Sequence, residues 1–356
     1  MTKTRVGIIY GGRSVEHDIS LISASNIVST INTELFDVTL IVISKSGDWF
    51  LCESRQHPIS EGTPPHTSLS ASLSVLFTDQ QQSMLDAIFP VLHGTDGEDG
   101  SIQGLLQTMN LPYVGSGVLG SAVAMDKLLS KRVLAQAGIP VAKFLNYGHK
   151  QRNEIDFQTI VDYLGLPFML KPTTLGSSVG VAKITSVDGF EDAVTDTFKY
   201  DNNVIFEEYI DGREMECGIL GNSEPIASVP GEIVLSANYD FYSFEAKYED
   251  PDAVTIVLPA EVDPTTAAVV KEQSIAAFKV LGCKDFARVD LFVLADGSVR
   301  INEINTIPGF TNISMYPKLM EQEGYDYQTL ITTLIEQAIE RTEAEARTTT
   351  QFDNNL

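Results

Sequence analysis

Apolar and polar positions follow two periods along the first third of the chain. Thr4–Tyr10 (TRVGIIY) is a nearly continuous apolar run and ends in Gly11–Gly12, the pattern of a strand buried on both faces. Ile19, Ile22, Ile27 and Ile31 then recur at roughly helical spacing, and Val38–Ser44 is apolar again. Ala87–Leu92 predicts another strand, the loop HGTDGEDG follows, and Ser101–Met109 and Leu111–Val114 read as a helix and a short strand. Residues 52–83, rich in Ser, Thr, Pro and Gln, read as an irregular insert. Such strand–helix alternation predicts an α/β unit with a parallel sheet covered by helices.

Gly115–Gly117 predicts a hinge into a second unit, where Val118–Ala137 reads as one long helix stopped by Gly138 and Pro140. Strands are expected at Phe168–Pro172, Val181–Ile184 and Val204–Ile210, with a helix between the last two. A third unit starts near Asp211. It has strands at Glu214–Leu220 and Ile226–Val234, a polar, aromatic loop at Ser236–Asp250 and a strand at Val254–Leu258. A helix at Pro264–Leu281, a hairpin at Asp285–Thr306 and a last helix at Tyr327–Ala346 complete it, and the tail from Arg347 reads as frayed. The expected units are 1–116, 117–211 and 212–356, and 356 residues suit that number.

The hairpin carries the most chemistry. Asp296–Gly297 predicts a two-residue turn, which sets Asp290 opposite Glu303 and Arg288 opposite Asn305, and a four-residue loop from Ala295 to Ser298 gives the same register. Alternation then puts all four side chains on one face. Facing carboxylates repel, and a divalent cation removes the conflict. Oxygen donors without His or Cys suit Mg²⁺. The competing reading is a solvated face with scattered charge.

Two glycine-bearing stretches differ in promise. GIIYGGRS (7–14) nearly matches a phosphate-binding loop, but its first glycine falls inside the apolar strand, so no backbone nest forms there. Glu16, just beyond, reads either as an acid favoured by the helix dipole or as the partner of a substrate ammonium. KPTTLGSSVG (171–180) is stronger: Pro172 holds Lys171 extended, and the Gly-Ser-Ser run offers N–H groups and hydroxyls to an anion. Lys127 and Lys131 read individually as solvated helix lysines. Glu207, Glu208 and Glu214 in FEEYIDGRE could hold ribose hydroxyls, or simply protect a strand edge.

Composition narrows the function. A formal net charge of −24 repels nucleic acid and anionic membranes. It also repels nucleotides, so a site for ATP would need local cations and Mg²⁺ to overturn the field. No apolar run approaches the ~18 residues of a membrane helix. The first strand begins almost at the first residue, leaving no room for a signal peptide. Cys52, Cys217 and Cys283 stand far apart in no metal spacing and fit a reducing cytoplasm.

Together these motifs resemble the ATP-grasp ligases, and within them the D-alanine–D-alanine ligases. The resemblance runs in order through GIIYGGRSVEHDIS, FPVLHGTDGEDGSIQG, MDK, KPTTLGSSVG, EEYIDGREMECGIL, FEAKY, RVDLF and EINTIPGFTNISMYP. It implies an N-terminal Rossmann-like (pre-ATP-grasp) domain followed by two ATP-grasp subdomains with ATP between them. Lys127 and Lys171 would contact the phosphates, Glu207 to Ile210 (Glu208 included) would line the adenine, and Glu214 would hold the ribose. Lys247 would join these cofactor-binding residues. Asp290, Glu303 and Asn305 would bind two Mg²⁺ ions, with Mn²⁺ able to substitute. Glu16 would hold the first D-alanine's ammonium, Arg288 and the Gly309 N–H the oxyanion, and Ser314 and the Met315 N–H the second carboxylate. Ser177 and Tyr248 would join Glu16 in a triad latching a mobile loop, 236–250. Thr173 to Leu175 are neutral where some members carry charge.

The implied reaction is an attack of carboxylate on the γ-phosphate, then of an amine on the acyl phosphate, to make D-alanyl-D-alanine for peptidoglycan precursors. A homodimer in the cytoplasm is expected with it. Rivals are a D-alanyl-D-lactate or D-alanyl-D-serine ligase, and a non-catalytic nucleotide-binding regulator.

Overall fold

The computed structural model describes residues 2–52, 85–239, 241, 245, 250 and 252–347. Nearly all of the insert expected at 52–83, most of the 236–250 loop (Lys247 and Tyr248 included) and the tail beyond Arg347 lie outside the described residues.

The first sheet is built from β1 (Thr4–Gly11), β2 (Phe36–Ile43), β3 (Trp49–Cys52) and β4 (Ala87–Val91), in the order β3-β2-β1-β4. β1 runs parallel to β2 and β4, as the alternation predicts. β3 is an antiparallel edge strand that the sequence reading did not anticipate. The unbroken apolar run of β1 has a clear cause. Val6, Ile8 and Tyr10 enter one core with Ala24 and Ile27 of α1 (His17–Thr30), while Ile9 enters another with Ile102 and Leu106 of α2 (Ser101–Thr108). The first of these cores also takes Leu330, Ile331, Leu334 and Ile335 of the last helix, Tyr327–Ala346, all fully buried. Each such side chain contributes about 1.5–3 kcal/mol on burial, so this helix is firmly seated on the first sheet.

The second sheet comprises β5 (Phe144–Gly148), β6 (Phe168–Pro172), β7 (Ala182–Ile184) and β8 (Asn203–Glu208), antiparallel in the order β5-β8-β6-β7. β5 and the helix Phe157–Leu164 went unanticipated; every residue of β5 is half-buried, so no alternation marks it. The third sheet contains β9 (Arg213–Leu220), β10 (Ile226–Ala227), β11 (Gly231–Leu235), β12 (Val254–Val257), β13 (Phe286–Val293) and β14 (Val299–Asn305). Its order is β12-β11-β9-β13-β14, with β10 beside β9.

Two expected elements are broken in two. The helix expected over 118–137 is α3 (Val118–Met125) and α4 (Lys127–Gln136). Between them Asp126 is extended (φ −83°, ψ 104°), and its carboxylate accepts from the N–H groups of Leu128 and Leu129. This N-cap starts a new helix and puts Lys127 in its first turn. The strand expected at Ile226–Val234 splits into β10 and β11 around Pro230, which has no N–H for the ladder.

The expected hinge at Gly115 is held by a buried cluster. Asp285 accepts from Gly115 N, Asn222 Nδ2 and the Arg341 guanidinium, which also donates to the carbonyls of Tyr113 and Gly115. One carboxylate thus ties the first unit, the third sheet and the last helix together. No helix among the described residues is long and apolar enough to cross a membrane.

Candidate active site

The β13–β14 ladder pairs Arg288 with Asn305 and Asp290 with Glu303. The expected facing is present, but the expected two-residue turn is not. Leu294 and Ser298 pair across a three-residue loop, with Gly297 N donating to Leu294 O at 2.9 Å and Gly297 left-handed (φ +79°). That loop pairs Leu291 with Ile301; a bulge beyond Asp290 then makes Asn302 the extra residue and restores the facing. A bulge re-aims side chains, and Asn302 is turned onto the site.

Charges on this face are tightly paired. Arg288 forks onto Asp290, with both contacts at 2.7 Å. Its Nε also lies 3.1 Å from Glu216 Oε2. Asn305 Nδ2 donates to Asp290 Oδ2 at 3.0 Å, and Lys127 Nζ stands 3.3 Å from Glu303 Oε2. Glu216 was missed in the sequence. Its signal was there: it alternates with Met215 and Cys217 and shares a face with Glu214, and the register sets it opposite Asp290. Among the described residues no three His, Cys, Asp or Glu side chains group as a metal cluster. The donor set here is two carboxylates and an amide, hard oxygen ligands of the kind Mg²⁺ takes.

A cavity of about 330 Å³ lies between the second and third sheets. Lys127, Lys171, Glu207, Glu208, Ile210, Glu214, Asp290 and Glu303 all line it, so the motifs read as nucleotide-binding converge. Three details depart from the reading. Glu207 is only 2% exposed and is clamped by Lys131 and Lys171, contacts that the sequence reading did not foresee. Burial would raise its pKa, but Lys131 and Lys171 override that and hold it at about 2. Glu208 turns its carboxylate onto Lys143 N at 2.8 Å. Lys131, read as a solvated helix lysine, is 1% exposed and lines the cavity.

The glycine loop closes one side. Asp201 accepts from the Thr173 hydroxyl and from both the N–H and hydroxyl of Thr174, anchoring the loop's start. Lys127 Nζ donates to Leu175 O at 2.7 Å. Ser177 and Ser178 are both left-handed (φ 53° and 58°), each at a cost of order 1 kcal/mol. Ser177 is held there by Glu16, whose Oε1 accepts from its hydroxyl at 2.6 Å. Glu16 makes no side-chain cap to α1, so the dipole-favoured acid is a bridge between the first unit and the loop.

A second cavity, about 380 Å³, is lined by Glu16, His93, Glu98, Ser177, Arg288, Glu303, Asn305, Gly309, Ser314 and Met315. Ser314 is the N-cap residue of the helix Met315–Gln322, and its hydroxyl accepts from Thr311 N. His93 and Glu98 belong to the loop HGTDGEDG, to whose side chains the sequence assigns no role. His93 Nδ1 donates to Ile307 O at 2.9 Å and its Nε2 meets Ser23 Oγ at 3.0 Å. Burial lowers its pKa, so the ring is neutral and accepts from Ser23. Glu98 accepts from Gly94 N at 2.9 Å and Ile307 N at 2.7 Å, clasping the two loops. Burial and the nearby Glu16 push its carboxyl up to about 8. A carboxyl with a raised folded pKa favours the folded state at acid pH, and this stability is lost as pH rises through the folded value. The melting-temperature advantage of Glu98→Gln over wild type should therefore grow between about pH 5 and about pH 8. A difference independent of pH would contradict the assignment.

Known proteins bear on this geometry. The family described as "D-ala D-ala ligase N-terminus" matches residues 5–116, and "D-ala D-ala ligase C-terminus" matches 133–336. A D-alanine–D-alanine ligase of Shouchella clausii is 46% identical, with all of both chains covered. The structure of the D-alanine–D-alanine ligase from Coxiella burnetii superposes with a TM-score of 0.83 at 35% identity, covering 98% of this chain and 97% of that one. The VanG D-Ala:D-Ser ligase from Enterococcus faecalis gives 0.83 at 33% identity, covering 95% and 100%. With likeness running the length of the chain, and a cavity lined by lysines and carboxylates opening beside a second one at a shared acidic hairpin, this protein belongs to the D-alanine–D-alanine ligase family and has its ATP-grasp fold.

Proposed function

We propose that the protein joins two D-alanine molecules at the expense of ATP, through a D-alanyl phosphate. One observation supports this most: the two cavities share Ser177, Ile233 and Glu303 as a common wall. A phosphoryl group held in one can therefore meet a carboxylate held in the other.

In this reading the chain divides at 1–116, 117–211 and 212–356, with ATP between the second and third parts. Lys127, Lys171 and the glycine loop hold the phosphates. Glu207 to Ile210 line the base, and Glu214 holds the ribose. Glu16 takes the first ammonium. The first carboxylate attacks the γ-phosphorus and ADP leaves. The second amine then attacks the acyl carbon, and phosphate departs as the C–O bond breaks. Arg288 and the Gly309 N–H hold the oxyanion, while Ser314 and the Met315 N–H at a helix N-terminus hold the second carboxylate. Lys247 and Tyr248 keep the roles the resemblance implies, as a cofactor-binding residue and as the third member of the Glu16–Ser177 latch. Asp290, Glu303 and Asn305 would hold two Mg²⁺ ions, which when bound neutralise phosphate charge. Closure of the loops would keep water from the acyl phosphate.

The test is incubation with ATP, Mg²⁺ and D-alanine, with phosphate counted and product identified by mass. Absence of the dipeptide sinks the reading. The likeness to a D-Ala:D-Ser ligase makes D-serine the competitor to include, beside D-lactate. We also infer a cytoplasmic homodimer serving peptidoglycan precursor synthesis, for which sedimentation at working concentration checks the dimer.

Gly94 offers a sharper test of the Glu16 role. It is left-handed (φ +73°), and a Cβ there would lie 2.5 Å from Glu16 Oε2. Gly94→Ala should push Glu16 off Ser177 and raise the KM for the first D-alanine about tenfold or more, the scale of a hydrogen bond to a charged group. An unchanged KM would separate Glu16 from substrate binding.

A further inference from the structure

Lys131 has no task in the reaction as described. It lies one turn beyond Lys127 on α4, and its side chain is 1% exposed. Its ammonium stands 3.2 Å from Glu207 Oε1, while the other oxygen of that carboxylate is 2.7 Å from Lys171 Nζ. Both lysines also reach the bulged residue of β14. Lys131 Nζ donates to Asn302 O at 3.3 Å, and Lys171 Nζ to Asn302 Oδ1 at 3.4 Å. Groups from α4, β6, β8 and β14 thus close on each other at the floor of the nucleotide cavity.

Two cations around one carboxylate leave a surplus of one positive charge among the directly paired groups, with Glu303 and Glu214 the next carboxylates to act on Lys171. Without Lys131, Glu207 would neutralise Lys171, and the cavity would lose its net charge at that point. Of the other cations lining the cavity, Lys127 is paired with Glu303 and Arg213 with Glu232. Charges this close and this buried are weakly screened. The cluster also seats Asn302, the residue before Glu303.

We propose that Lys131 is a positioning residue of the ligase: it balances Glu207, so that Lys171 presents an uncompensated positive charge to the ATP phosphates, and it pins the Asn302 peptide beneath them. This rests on the reading that Lys171 meets the phosphates. Burial lowers the pKa of Lys131 and would lower that of Lys171, but Glu207 keeps Lys171 above its ordinary value.

The experiment compares Lys131→Met, Glu207→Gln, the double variant and Lys171→Met in the full-length enzyme. It reads kcat, the KM values for ATP and D-alanine, and the melting temperature. Lys131→Met should raise the KM for ATP about tenfold or more, as loss of a charge-assisted contact does. The KM values for D-alanine should stay within about twofold. The double variant, with the charge balance restored, should recover most of that loss and match Glu207→Gln alone. The double variant keeps the wild-type surplus of one positive charge, and its melting temperature shows what it costs to leave Lys171 without its carboxylate partner. A wild-type KM for ATP in Lys131→Met overturns the proposal. So does a double variant as impaired as the single one, because a lysine touching phosphate directly is not rescued by neutralising Glu207. An unimpaired Lys171→Met overturns the phosphate reading and this proposal with it. Impairment of Lys171→Met beside an unaffected Lys131→Met overturns this proposal alone.

Discussion

Glu303→Gln is expected to abolish ligation and leave the fold intact. Glu303 faces Asp290 across the β13–β14 ladder and borders both cavities. Its carboxylate stands 3.3 Å from Lys127 Nζ. Glutamine keeps the shape and removes the charge that a divalent cation or Lys127 needs there. Loss of a charged ligand at a phosphoryl-transfer site costs several kcal/mol of transition-state stabilisation, or about 10³-fold or more in rate. Stability should hardly suffer. The side chain is 23% exposed, and removing one of two facing carboxylates relieves repulsion. Turnover at saturating ATP and Mg²⁺, read beside a thermal melt, checks both halves. Near-normal turnover at saturating Mg²⁺ would remove Glu303 from the chemistry.

Arg288→Lys is expected to be nearly as damaging, for a reason of geometry. The guanidinium engages both Asp290 oxygens and also meets Glu216 Oε2. An ammonium is a point donor and cannot reproduce the planar fork. Lysine would leave Glu216 and Asp290, both nearly buried, less well balanced. It would also withdraw a donor from the second cavity, which Arg288 lines beside Gly309. Loss of one oxyanion donor costs about 10²–10³-fold in kcat, and that drop in kcat is the expected result. A loss confined to KM would contradict the oxyanion role. A modest fall in melting temperature should accompany it, since a buried carboxylate loses part of its partner.

The two variants differ in how visible their ground was in the sequence. The pairing of Asp290 with Glu303 was legible from alternation and a Gly-bearing turn, but for a reason that needed amending. The turn has three residues, and the bulge at Asn302 shifts the register back. A bulge has no reliable local signature, because one extra residue in a strand looks like the next alternation step. The break of the expected 118–137 helix at Asp126 is similar. An Asp that caps a new helix and an Asp on a helix surface read alike until the φ and ψ are known.

By itself the sequence determined most strands and helices, though not β3, β5 or the helices Phe157–Leu164 and Met315–Gln322, together with the parallel pairing of β1, the glycine loop behind Lys171 and the acidic hairpin. These follow from periods of two and 3.6 residues, from turn chemistry and from neighbours within one or two elements, all of which act over short stretches of chain. Only the tertiary structure decided which charges are buried and with whom. Lys131, Glu207 and Asn302 lie on three elements far apart in sequence, and Glu216 meets Arg288 only through a sheet register. Glu98 clasps the loops at Gly94 and Ile307, and Glu16 finds Ser177 161 residues away. A charge taken out of water must be paired, yet the pair is formed by packing. The pattern that places a lysine on a helix is therefore the same whether its ammonium ends in solvent or beneath a nucleotide.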